Sequence, residues 1–200
     1  MNYSELTPMQ LDALREVSNI GAGNAATALS QLLNRKVDMT VPSVNIIPLD
    51  SVFTKLDAEE IAIGVIVRVL GDTPGNILFI FEKNVAFDII KSLTGTEEDE
   101  LSEMGVSVLA EIGNIISASY MNAISKFTNL TITPSVPAVS YDMVAAILST
   151  GFIESGQMDD NVLDFETEFL QDKTNTISGH FYYIPMPGSL EKILKTLGVN

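Results

Sequence analysis

Two stretches of this chain repeat each other at a fixed offset, so the fold must give both copies equivalent places. Asp12, Glu16 and Asn19 follow the spacing Asp-x3-Glu-x2-Asn, and Pro42 lies 23 residues beyond the asparagine. Ser107, Glu111, Asn114 and Pro137 reproduce that pattern 95 residues later. Between 11–44 and 106–139, ten of 34 aligned positions are identical: Leu14, Glu16, Asn19, Ile20, Ala28, Ser30, Asn34, Val41, Pro42 and Val44 with their partners. A polar constellation kept in register across a duplication takes precedence over any local reading.

Each copy opens on a long helix. Thr7-Pro8 supplies a capping hydroxyl and a proline at the first helical position. The apolar stripe Leu11, Leu14, Ser18, Gly21, Ala25, Leu29, Leu32 carries the helix to about Leu33. Its counterpart is Val106, Leu109, Gly113, Ile116, Tyr120, Ile124, Phe127, entered from the acidic run Glu97 to Glu103, where carboxylates suit a helix N-terminus. The small residues Ser18 and Gly113 sit mid-stripe, where a neighbouring element can approach closely.

A β-like segment follows each long helix, Lys36 to Pro48 and Leu130 to Val139. Two more strands are expected in each half: Ile61 to Leu70 with Asn76 to Phe81, and Val162 to Leu170 with Gly179 to Ile184. Short helices, Val85 to Leu93 and Leu190 to Leu197, close the halves before Gly95 and Gly198. Hairpin-length connections imply mostly antiparallel pairing. The expected fold is therefore α+β, a pseudo-twofold duplication within one domain over 1–200. Its repeats are about 7–98 and about 102–198, each a long helix, three strands and a short helix. One stretch breaks the symmetry. Ser140 to Leu148 reads as an extra helix capped by Ser140, without a counterpart after Pro42, and Glu154 to Asp160 reads as a loop.

The balance of 11 basic against 26 acidic residues, net −15, argues against nucleic acid or an anionic membrane as partner. No cysteine is present, which removes disulfides, thiolate metal sites and thiol catalysis. The start Met1-Asn2-Tyr3-Ser4-Glu5 lacks the basic and apolar regions of a signal peptide, and no apolar run reaches a membrane span of roughly 18 residues. A cytoplasmic protein without membrane insertion is the expectation. His180, the sole histidine, reads as a strand residue, and Gly21-x-Gly23 lacks the ending of a phosphate loop.

At 100° per residue, Asp12, Glu16 and Asn19 share one helix face, as do Ser107, Glu111 and Asn114. The next turn on that face carries Gly23 and Ala118, small residues that leave room for a docking molecule. Surface neighbours have diverged (Arg15 against Ala110, Gln31 against Lys126), while Glu and Asn have stayed. Asparagine does not titrate, but its two donors and one acceptor can orient a water or a phosphoryl oxygen. A flexible exposed glutamate can pair with a partner's cation. The pair has neither nucleophile nor metal cage, so it suits a substrate that brings its own reactive bond. Phosphoryl transfer, which rests on alignment and electrostatics, is such chemistry. Asp12 and Ser107 either support this face or simply meet water.

The doubled motif, with Glu16-Val17-Ser18-Asn19-Ile20-Gly21-Ala22-Gly23-Asn24-Ala25-Ala26-Thr27-Ala28, resembles the CheC/CheX/FliY family of chemotaxis phosphatases, its CheC branch above all. The resemblance implies hydrolysis of the aspartyl phosphate on the response regulator CheY. Asn19 and Asn114 would each place the attacking water, and Glu16 and Glu111 would each pair with the regulator's lysine. It implies no cofactor beyond the Mg²⁺ that the regulator brings. It further suggests the receptor deamidase CheD as second partner and a chain that works as a monomer, with the twofold arrangement internal. FliY adds a flagellar-switch domain for which 200 residues leave no room, and CheX has one motif per chain. The segment Tyr141 to Leu148, with Asp142 and Met143, is the candidate CheD contact, or else a packing helix. An adaptor that senses the phosphorylated regulator and gates CheD is the alternative to an enzyme.

Overall fold

A computed structural model describes residues 6–34, 36–55, 57–155, 161–172 and 175–199. Helix α1 (Pro8–Leu33) begins with a capping box: the Gln10 amide donates to the Thr7 hydroxyl, and the Thr7 amide donates to the Gln10 side chain. The equivalent helix α4 (Glu103–Thr128) is capped by Ser102, whose hydroxyl accepts from the Gly105 amide at 3.0 Å. Both end identically. Asn34 and Asn129 take the left-handed conformation as C-caps, φ 48° and 55°. Asparagine tolerates that conformation better than most residues, which gives one of the ten repeat identities a backbone reason.

Between the long helices run β1 (Asp38–Pro48), α2 (Leu49–Lys55), β2 (Ile61–Gly71), β3 (Gly75–Glu82) and α3 (Lys83–Thr94). After α4 come β4 (Ile132–Pro134), β5 (Ala138–Met143), α5 (Val144–Ser155), β6 (Asn161–Asp172), β7 (Asn175–Pro185) and α6 (Ser189–Thr196). Gly95 and Gly198 follow α3 and the last helix at positive φ, 73° and 80°, as the C-cap reading requires. His180 lies in β7, in register with Ile80 and Glu166.

All strands join one antiparallel sheet in the order β1-β6-β7-β3-β2, with β4 and β5 both on the free side of β2. The repeats exchange strands across this sheet. β1 of the first half pairs with β6 of the second, and β4 and β5 of the second pair with β2 of the first. Each half thus completes the other.

Alternation along the strands builds two cores. Val65, Val67, Phe79, Phe181 and Tyr183 face one side with Leu14, Leu29, Leu109 and Ile116 of the long helices. Leu78, Ile80, Tyr182 and Ile184 face the other side with Val52 of α2 and Ile147 and Leu148 of α5. Helix α4 is long and apolar enough to cross a membrane, but 44% of its most apolar window is buried inside the fold, as befits a core helix. The mid-stripe small residues serve close packing. A Cβ at Gly113 would lie 2.5 Å from Val65 Cγ1, and one at Gly21 would lie 2.9 Å from the Tyr120 backbone. The stripe ends, Leu32, Val106 and Phe127, are exposed.

Three expectations need correction. The first half does have a helix after its first strand, the short α2, so the symmetry is less broken than the sequence suggests. Its seven residues, beginning Leu-Asp-Ser, are too few for a periodic signal. And Ser140 caps no helix. Residues through Met143 belong to β5, where Ser140 pairs with Gly64 and Met143 with Ile61. The Val144 and Ala145 amides instead donate to the carbonyls of Glu60 and Ala58, so a neighbouring turn caps α5 without a side-chain signal. Asp142 and Met143 are therefore strand residues. The helix runs on to Ser155, which removes the first part of the expected 154–160 loop; 156–160 lie outside the described residues.

The β2–β3 turn ties the halves together at a second place. The Asp72 amide donates to the Thr131 carbonyl, the Thr131 amide returns a bond to the Asp72 carboxylate, and Lys192 pairs with that carboxylate at 2.8 Å. Lys192 and the Thr131 amide hold the Asp72 carboxyl below its ordinary value of 3.8. A carboxyl acidified by folding stabilises the native state above its unfolded pKa and stops doing so as pH falls through the folded one. Asp72→Ala should therefore lower the melting temperature at pH 6. The gap from wild type should shrink towards pH 2.5; a gap unchanged by acid would contradict the assignment.

Candidate functional site

The two candidate faces lie on α1 and α4, the paired helices that cover one side of the sheet. Glu16 and Glu111 are exposed, and Asn19 and Asn114 are partly exposed at the border between each helix and the strand that follows it. Asp12 is exposed and bridges to Arg15 at 3.0 Å. Ser107 is exposed, with its hydroxyl donating back to the Glu103 carbonyl. Neither touches the Glu–Asn pair by a hydrogen bond among the described residues. Gly23 is open, with nothing within 4 Å of where a Cβ would stand, and Ala118 is half-buried. From Gly23 onward, α1 and β1 bound an open groove of about 910 Å³ lined by Thr27, Ser30, Lys36 and Met39 among others. Asp142 and Met143, the remaining sequence candidates, belong to the edge strand β5 rather than to this face; the Asp142 carboxylate accepts from the Met143 amide.

The two asparagines are not in equivalent states. The Asn19 carboxamide grips the first strand. Its Oδ1 accepts from the Val41 amide at 2.9 Å, and its Nδ2 donates to the Val41 carbonyl at 3.0 Å and to the Arg15 carbonyl at 3.1 Å. Both amide protons are used, and each such bond contributes about 1 kcal/mol. This is possible because β1 bulges: the register with β6 shifts between Thr40 and Ser43, which frees the Val41 backbone from the ladder. Pro42, with no amide to lose, sits in the bulge.

In the second half the matching Val-Pro pair goes the other way. The ladder is interrupted between β4 and β5, where Ser135 bonds both backbone groups of Arg68. Val136 is turned outward and is 88% exposed, whereas Val41 is fully buried. The Asn114 carboxamide makes no hydrogen bond among the described residues, which leaves its donors and acceptor for a visiting molecule. A second pair shows the same difference. Ser30 Oγ shares its one proton between the Ala26 and Val37 carbonyls, at 2.7 and 3.1 Å, and accepts from the Val37 amide, while buried Ser125 Oγ has no hydrogen-bond partner among the described residues.

Val41, Ser30 and Val136 were legible as repeat identities but carried no role in the sequence. Their being kept in both halves is the signal that could have drawn attention to them. No group of three or more potential metal ligands occurs among the described residues.

Twin helices that each set an exposed Glu one turn before a partly exposed Asn, over a sheet that exchanges strands between repeats, define a class. The chain belongs to the CheC-like family, whose model matches residues 9–46 and 104–141, the two helix-plus-strand segments carrying the motif. It is 35% identical, over 99% of its length and 98% of the relative's, to the CheY-P phosphatase CheC of Bacillus subtilis (strain 168). It is 33% identical over 68% of its length to the flagellar motor switch phosphatase FliY of the same organism, of which the match spans 36%. Among solved structures, Thermotoga maritima FliY superposes with a TM-score of 0.79 over 97% of this chain and 98% of that one. At 24% identity this likeness bears on the fold alone.

Proposed function

We propose that this protein hydrolyses the aspartyl phosphate of the chemotaxis response regulator CheY. The observation that carries the reading is the Asn114 carboxamide, without a hydrogen bond among the described residues and one helical turn from exposed Glu111, in a chain related along its whole length to a CheY-P phosphatase. The regulator docks across the face of α4. Glu111 pairs with the lysine beside the phosphorylated aspartate, fixing the approach. Asn114 enters alongside the phosphoryl group, and its amide holds a water in line with the phosphorus–oxygen bond. The water's oxygen bonds to phosphorus as the bond to the aspartate oxygen breaks, the water's protons leave on the released phosphate or to solvent, and the Mg²⁺ that the regulator brings would offset the charge. The protein contributes position and a dipole rather than a nucleophile or metal. Glu16 and Asn19 form the matching pair on α1. On this reading the chain works in the cytoplasm, as a monomer.

The test is the decay of phosphorylated CheY. Wild-type protein should shorten its lifetime. Asn19→Ala with Asn114→Ala should restore the spontaneous rate while circular dichroism stays unchanged. Unaltered acceleration by the double variant would remove the catalytic assignment.

CheD is a proposed second partner. The surface we assign to it is α5 with the adjoining end of β5, where Tyr141 and Met143 are exposed beside Ile61. If CheD association is indifferent to the regulator's phosphorylation, the adaptor role fails and the hydrolytic one stands.

A further inference from the structure

The geometry points to a division of labour between the repeats: Asn114 stands ready, and Asn19 is a latch that closes its own site by holding the bulge of β1. The inference rests on the phosphatase reading above and says which of its two sites works. All of it follows from three of the repeat identities. Asn19, Ser30 and Val41 have identical counterparts in Asn114, Ser125 and Val136. In the first half these residues form a seam, with Asn19 and Ser30 bonding both backbone groups of Val41 and Val37. In the second half the same residues are undone: Val136 points to solvent and Ser125 Oγ is unpartnered among the described residues.

For Asn19 to donate to a water, its carboxamide must turn away from Val41, because both Nδ2 protons are already bonded, to the Arg15 and Val41 carbonyls. That breaks two bonds at once and leaves the amide and carbonyl of a bulge residue without their partners. Val41 cannot follow outward as Val136 does, because its side chain is buried in the core. The cost falls on every encounter at the first site and on none at the second. The first site can still bind a regulator through exposed Glu16 without accelerating hydrolysis.

Single variants and hydrogen exchange test this. Asn19→Ala should reduce the rate of CheY dephosphorylation by no more than about 2-fold, while lowering the melting temperature by about 8 °C through the three lost bonds of about 1 kcal/mol each. Exchange of the Val41 amide proton should be slow in wild type and much faster in Asn19→Ala. In the Asn114→Ala protein it should stay slow when beryllofluoride-activated CheY is added to saturation. An Asn19→Ala protein that loses as much activity as Asn114→Ala at an unchanged melting temperature would overturn the latch, as would Val41 exchange that quickens when the regulator binds. If wild-type protein leaves the regulator's phosphate untouched, the phosphatase reading is what has failed. The exchange rate of Val41 in Asn19→Ala still decides the latch, and an unchanged rate would overturn it.

Discussion

Asn114→Ala is expected to lower the rate of phosphate loss from CheY by about 100-fold, with a melting temperature within a degree of wild type. The rate effect follows from the role. A side chain that holds the attacking water acts mainly on the bound complex, and removing one preorganised polar contact to the reacting atoms typically costs 10²–10³ in rate. The thermal indifference follows from the structure, since the Asn114 carboxamide has no bond to lose among the described residues. The loss should appear in kcat, with KM little changed. Glu111→Ala should do the reverse. An exposed carboxylate that pairs with a partner's lysine sets encounter and register, so KM should rise and become less sensitive to salt. A kcat unaffected by Asn114→Ala would place the chemistry elsewhere on the molecule.

Gly71→Val should be the most destabilising single change proposed, costing about 4 kcal/mol. Gly71 closes β2 at φ 103°, a backbone conformation that a β-branched residue can barely reach. A Cβ there would also stand 2.2 Å from the Thr131 carbonyl oxygen, which is backbone and cannot swing away. That oxygen accepts from the Asp72 amide, so relieving the clash parts the β2–β3 turn from the segment after α4. Chemical denaturation of purified protein measures this directly. A midpoint shift worth less than about 1 kcal/mol would show that the turn relaxes freely. The same variant should impair phosphatase activity only to the extent that it unfolds.

The two long helices, the Thr7 cap and the closing glycines were legible because they depend on near neighbours. The Thr7 cap and Gly95 at the end of α3 are settled within a few residues; the Ser102 cap of α4, though equally local, was not singled out within the acidic run that precedes the helix. The internal duplication likewise announced the candidate faces. Strand exchange was not legible, since alternation tells which face a residue occupies and not which strand lies beside it. The start of α5 was missed because its cap is the backbone of residues 58 and 60, supplied from far along the chain. The difference between Asn19 and Asn114 was hidden for a related reason. Duplication preserves side chains, whereas the path of Val41 or Val136 is decided by what pairs with the flanking strands, β6 in one case and β2 in the other. Identical letters therefore became a seam in one half and an open edge in the other.

The traded strands also govern when the molecule can be finished. Asp38 finds its pairing partner in Leu170, so nearly the entire polypeptide must leave the ribosome before the first strand has anything to zip against. Until then a hydrophobic ribbon waits uncovered, and nascent chains stalled before β6 should be the ones that chaperones hold.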